Sequence, residues 1–160
     1  MRATDLQIPL PLVHRDTTLY DAARLIADDR LGGLVVVDQA GHPESVVAAV
    51  DVLRLMLPPY LLDDLSLAGV FDEPGAEEVW GPVRTRTIGA VLDDEGVEVY
   101  GLHKVDGDAT LVEIAAEMAS ARVRIALVRG TENTEPRFVT LSAVMDAILR
   151  FATASGKAAE

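Results

Sequence analysis

The sequence predicts a mixed α/β chain built twice from one plan. Three observations predict it. Residues 16–27 line up without a gap with residues 108–119, an offset of 92 positions, and five of the twelve pairs are identical. The same offset pairs Val13 with Val105, Val36 with Val128 and Val47 with Val139. In each half an amphipathic helix pattern is followed by a β-branched run, a turn, a second short strand and a second helix.

Each element follows from its residues. A leading extended stretch is expected over 10–13 in the first half and over 99–102 in the second. Thr18 with Asp21, and Thr110 with Glu113, have capping-box spacing: the threonine caps an early N–H and the acid reaches back. Behind each cap the apolar residues follow i, i+3, i+4, i+7, i+8. They are Leu19, Ala22, Ala23, Ile26 and Ala27 in one half, and Leu111, Ile114, Ala115, Met118 and Ala119 in the other. The continuous apolar runs 34–37 and 125–128 suit buried strands. Turns follow over 38–43 and 130–136, then short strands over 46–49 and 138–141. Closing helices are expected over 51–57 and 142–151.

The halves are separated by an insert, giving four parts: 1–57, 58–83, 84–151 and a small polar tail, 152–160, expected to fray. The insert holds Pro58, Pro59, Gly69, Pro74, Gly75, Gly81 and Pro82. Leu61, Leu62, Leu65 and Ala68 suggest a short amphipathic helix. Residues 72–75 read as a turn, 76–80 as one helical turn, and 86–92 as strand or helix. Trp80, the only tryptophan, is expected to cover a core edge or to anchor a partner or dimer contact.

Composition excludes several classes. In 160 residues, 26 acids face 14 lysines and arginines, for a formal charge of −12. The apolar fraction is 49%, ample to offset ordering entropy, so a folded chain is expected. Without cysteine there is no disulfide framework, zinc-thiolate site or thiol chemistry. The acidic balance argues against nucleic acid and anionic lipid as partners. The opening residues put Asp5 where a signal peptide would be apolar, and no apolar run approaches the roughly 20 residues of a spanning helix. The expectation is a soluble, cytoplasmic protein with no membrane insertion. His14, His42 and His103 lack partners at metal-ligand spacing, and no nucleophile elbow, P-loop or dinucleotide fingerprint is present. The acidic pairs lack calcium-loop spacing. No catalytic constellation emerges, so no enzyme activity is expected.

The chain resembles a tandem pair of cystathionine-β-synthase-type (CBS) domains, a Bateman module. The resemblance rests on Asp-Thr-Thr-Leu-x-x-Ala-Ala at residue 16, Leu-Val-Val-Val-Asp at 34 followed by Gly41, and Val-Asp-Val-Leu-Arg-Leu-Met at 50. The second half carries Asp-Ala-Thr-Leu-x-x-Ile-Ala at 108 and Phe-Val-Thr-Leu-Ser-Ala-Val-Met at 138. It implies two pseudo-symmetric β-α-β-β-α units packed sheet to sheet, with two clefts between them. In members with ligands these clefts hold AMP, ADP, ATP or S-adenosylmethionine. It further implies a stand-alone regulatory homodimer that senses ligand and controls a transporter or enzyme in trans. The alternative is a ligand-free pair kept as a dimerisation or scaffold subunit.

The family's ribose signature is Thr or Ser, two residues, then Asp, at the start of the last helix. A helix N-terminus suits phosphate, and a carboxylate there can accept both ribose hydroxyls. In the first half these positions are Ala48 and Asp51; in the second they are Thr140 and Ala143. Each half keeps a different part of the signature. The same spacing is an ordinary capping box, so Asp51 is open to two readings, ribose acceptor or helix cap; for Thr140 the cap is favoured. Val13, Gly33, Leu34 and Val35, with Ile125 and Ala126, are the implied backbone and apolar contacts to adenine. His14, Arg15, Arg30 and Lys104 are further candidates for phosphate. Arg122 and Arg124 flank a strand entrance, an arrangement that calls for an acidic partner or an anion.

Overall fold

The computed structural model describes residues 1–130 and 135–156. The turn expected over 130–136 falls partly on 131–134, which lie outside the described residues, as do 157–160. The chain is divided into two compact units, Pro11–Gly101 and Met1–Leu10 with Leu102–Glu160. This division by contact runs across the division by repeat, because the first ten residues join the second repeat.

The unit Pro11–Gly101 contains β1 (Leu12–Val13), α2 (Leu19–Asp29), β2 (Gly33–Val37), β3 (Pro43–Ala48) and α3 (Ala49–Met56). The insert then forms α4 (Pro59–Asp63), a 3₁₀ turn (Leu65–Val70), α5 (Glu73–Trp80) and a second 3₁₀ turn (Gly81–Arg84). It is followed by α6 (Ile88–Leu92) and β4 (Tyr100–Gly101). The sheet order is β1-β2-β3-β4; β1 and β2 are parallel and the other pairs antiparallel. All five residues of β2 are buried, as a continuous apolar run requires. Val13, Leu19, Ala22, Leu34, Val36, Val47, Val52, Ile88 and Val91 form one core.

The other unit contains α1 (Ala3–Leu6), β5 (His103–Val105), α7 (Leu111–Ala121), β6 (Ile125–Val128), β7 (Phe138–Thr140) and α8 (Leu141–Gly156). Its sheet order is β5-β6-β7. Its core is Ala3, Val105, Ile114, Met118, Ala126, Val128, Val139 and Val144.

The repeat holds residue by residue. Val13 pairs with Val36 and Gly33 with Ala48 in one sheet; Val105 pairs with Val128 and Ile125 with Thr140 in the other. Arg30 and Arg122 both end their helices in the left-handed conformation, with φ of 52° and 55°. This is the C-cap role that usually falls to glycine. Thr18 and Thr110 each accept from the backbone N–H three residues on. Only Glu113 completes the box: its carboxylate accepts from the Thr110 N–H at 2.7 Å.

Several sequence expectations are corrected. The leading strand of the second repeat is His103–Val105, the place the 92-residue offset dictates, not 99–102. Tyr100–Gly101 instead forms an edge strand on β3. Residues 72–75 are not a turn but the start of α5. Asp72 is its N-cap, accepting from the Gly75 N–H at 2.9 Å, and Pro74 sits in the first turn, where its missing N–H costs nothing. Residues 86–92 resolve as a cap and helix, and α8 runs on to Gly156.

A further repeat was invisible in the residues. The Ile88 N–H donates to Thr17 O at 2.8 Å and the Gly89 N–H to Arg15 O at 2.7 Å. In the other unit the Ala3 N–H donates to Ala109 O at 2.9 Å and the Thr4 N–H to Gly107 O at 3.1 Å. The acceptors are again 92 positions apart. Each unit is thus closed by the segment that precedes the other repeat.

Candidate functional site

The end of the sheet at Gly33 gathers the first-repeat candidates. Gly33 pairs with Ala48, and the Ala49 N–H donates to Gly32 O at 3.0 Å, which starts α3 there. A Cβ on Gly33 would lie 2.9 Å from Val47 O, so only glycine lets these strands approach so closely. Leu34 and Val35 are buried in β2. Val13 pairs with Val36, away from this end, and lies in the core.

Asp51 occupies the third position of α3. Ala48, the N-cap, has no side chain with which to cap. Among the described residues the Asp51 carboxylate accepts no hydrogen bond. It is half-buried. Burial pushes its carboxyl above the ordinary aspartate value; Glu98 and Asp94 add to the rise, and Arg54 opposes it. The Tyr100 hydroxyl donates to the Glu98 carboxylate, and this bond is the main reason Tyr100 is held above the ordinary tyrosine value. Arg54 approaches Asp94 at 4.0 Å. Glu98 and Tyr100 come near Asp51 because β4 pairs with β3, a contact outside the repeated pattern and without a sequence signal; Asp94 arrives from the turn after α6.

The second-repeat candidates also gather. Ile125 pairs with Thr140, and the Leu141 N–H donates to Arg124 O at 2.9 Å. The Thr140 hydroxyl is engaged: it accepts from the Ala143 N–H at 3.3 Å and lies 3.1 Å from the Ser142 hydroxyl. Ala143 brings no carboxylate. Ile125 and Ala126 are buried. Arg122 and Arg124 are exposed and have no side-chain partner among the described residues. The backbone of Arg122 explains its place as the cap of α7; its guanidinium has no structural duty.

The other cations are elsewhere. Arg15 makes two 2.8 Å bonds to Asp93. With His14, Asp16, Asp38 and Glu44 it lines a groove of about 690 Å³ at the far end of β2 from Asp51. Among the described residues no three His, Asp or Glu side chains are placed to hold a metal, and no helix is long and apolar enough to cross a membrane.

The family model for the CBS domain matches residues 4–58. No curated protein matches the chain. Among solved structures, a CBS domain-containing protein of unknown function from Kribbella flavida is 32% identical, with 92% of this chain and 99% of that one covered and a TM-score of 0.74. CBSX2 of Arabidopsis thaliana in complex with AMP is 19% identical, with coverages of 94% and 98% and a TM-score of 0.60. The CBS domain of a bacterial CNNM/CorC family Mg²⁺ transporter in complex with ATP is 18% identical, with coverages of 93% and 87% and a TM-score of 0.60.

Proposed function

Because this chain belongs to the CBS-domain family and carries the fold of a CBS pair, we propose that it is a regulatory module that senses an adenosine-type ligand through Asp51. The observation that carries this reading is the unengaged carboxylate. A capping residue would bond the backbone, as Glu113 does; Asp51 does not, although it sits at the same helical position. A half-buried acceptor without a donor is suited to a ribose diol, whose two hydroxyls would supply the missing bonds. The relatives bound to AMP and ATP support the choice of ligand class. The candidates are AMP, ADP, ATP and S-adenosylmethionine. The module performs no chemistry; it acts in the cytoplasm as a homodimer and passes its state to a transporter or enzyme.

The second reading is a scaffold pair without ligand. One observation favours it: α7 and α8 carry exposed Val112, Met145, Ile148 and Leu149. Beside them is an apolar groove of about 650 Å³ lined by Met1, Leu111, Val112, Ala115, Ile148 and Phe151. Such a face suits a second copy of the chain.

Thermal melting with AMP, ADP, ATP, S-adenosylmethionine and cyclic di-AMP separates the two. At a hundred times Kd a ligand stabilises the folded state by about 2.7 kcal/mol, worth roughly 5–10 °C for a chain of this size. A saturable rise that Asp51→Ala abolishes supports the sensor. No rise at millimolar ligand leaves the scaffold reading, for which sedimentation must then show a dimer.

A further inference from the structure

Among the described residues the insert carries the longest unbroken exposed stretch. Every residue from 63 to 74 is exposed. Leu65 is 74% exposed and Val70 79%, and Leu67 and Phe71 are exposed beside them. The insert is nevertheless held by its own anchors, since Leu61, Val79 and Val83 are buried. On α5 the inner face is Gly75, Ala76 and Val79. The outer face carries Glu73, Glu77 and Trp80 at i, i+4, i+7, one stripe along the helix. Trp80 therefore stands one turn beyond Glu77 and two turns beyond Glu73.

The charge of this surface has one sign. Between 58 and 83 there are six acids, Asp63, Asp64, Asp72, Glu73, Glu77 and Glu78, and no Lys, Arg or His. None of the six is paired with a cation among the described residues. Arg84, just beyond, lies 4.9 Å over the Tyr20 ring. Exposed apolar side chains interspersed along the chain with acids that lack a cation suit a contact surface. The complement is a chain with apolar residues and Lys or Arg. Indole is the strongest aromatic platform for a cation, so Trp80 fits the same partner. A second copy would bring the same acids against these, and an anionic membrane would be repelled.

We propose that the insert is a docking surface for a cationic, amphipathic segment of a partner protein. The surface is distinct from Asp51, and the test needs no nucleotide, so docking and ligand sensing succeed or fail separately.

The probe is a helical peptide of Leu and Lys without tryptophan, compared with its Leu and Glu counterpart. Trp80, as the only tryptophan, reports the contact by fluorescence. The Lys peptide is expected to saturate, to move Trp80 emission to the blue, and to bind at least tenfold more weakly at high salt. The Glu peptide is expected not to bind. Glu73→Gln with Glu77→Gln, and separately Leu65→Ser with Val70→Ser, are each expected to weaken the Lys peptide at least tenfold. Asp28→Asn with Asp29→Asn removes the same charge at the end of α2 and is expected to leave binding unchanged. Equal losses in the two charge variants would reduce the effect to general attraction and overturn the proposal. So would absence of saturable binding, or equal binding of the Glu peptide. Conversion of a dimer to a monomer by Leu65→Ser with Val70→Ser would assign the surface to a second copy instead, and would equally overturn it.

Discussion

Asp51 and Glu113 stand at the third position of α3 and α7, and their carboxylates behave oppositely. Glu113 accepts from the Thr110 N–H at 2.7 Å and from the Thr110 hydroxyl at 2.8 Å. These bonds hold it below the ordinary glutamate value. Asp51 has only Ala48 to reach back to, makes no such bond, and is pushed upward by burial. The same place at a helix start thus serves two ends. At α7 the hydroxyl cap and the acid engage each other and Glu113 is structural, whereas at α2 the Thr18 cap forms without the Asp21 carboxylate. Where alanine stands at the cap, the acid remains open to a ligand. The helix dipole acts on both acids, so it is not what separates them.

The largest expected effect is on binding. Asp51→Ala should weaken an adenosine ligand at least tenfold in a calorimetric titration, since bonds to a charged acceptor are worth about 1.5–3 kcal/mol each. Glu113→Ala should leave that affinity unchanged; a comparable loss there would erase the distinction. Next is Thr110→Ala, which removes the cap and should cost about 1 kcal/mol, a fall of roughly 2–4 °C in Tm. Ala48→Thr should act in the other direction, adding up to about 1 kcal/mol by supplying the missing cap, read in the same melts. If Ala48→Thr has no effect, the start of α3 is already satisfied by another route.

The smallest effect is in the pH dependence. Glu113 has a lowered folded value, so its contribution is present above about pH 4.5 and is lost as pH falls through the folded value. Asp51 has a raised folded value, so the folded state holds its proton more tightly than the unfolded chain. Stability is then lost as pH rises from 3.8 through the folded value. Melts of Asp51→Asn and Glu113→Gln against the parent, at pH 3 and pH 7, should therefore change in opposite directions. Asp51→Asn gains relative to the parent at the higher pH, and Glu113→Gln loses. Changes of the same sign would refute the contrast.

Much of this fold was legible. The offset of 92 residues locates strands, caps and helices because a repeated core imposes the same apolar positions twice. Legibility failed where local chemistry is ambiguous. Asp72-Glu73-Pro74-Gly75 contains turn residues, and the same residues open α5, because an N-cap and a first-turn proline are also good turn formers. The short α1 has too few residues for a period. At the site, the positions of Asp51 and Thr140 were readable from the signature, but the engagement of their oxygens was not. That depends on side-chain geometry at each cap and on β4 bringing Glu98 and Tyr100 alongside, a long-range pairing with no local trace.

The exchange of closing segments has a consequence for how the chain is made. The first unit receives its closing helix, α6, after its own repeat and the insert, so it can finish in the order of synthesis. Met1–Leu10 is made well before Gly107, Ala109 and Phe138, which receive it. At about 5–20 residues per second the opening segment waits roughly 6–26 s for Phe138. Met1–Leu10 therefore docks only after the residues that receive it have been made, and a ribosome that stalls after the first repeat would leave one finished unit and one unmatched strap.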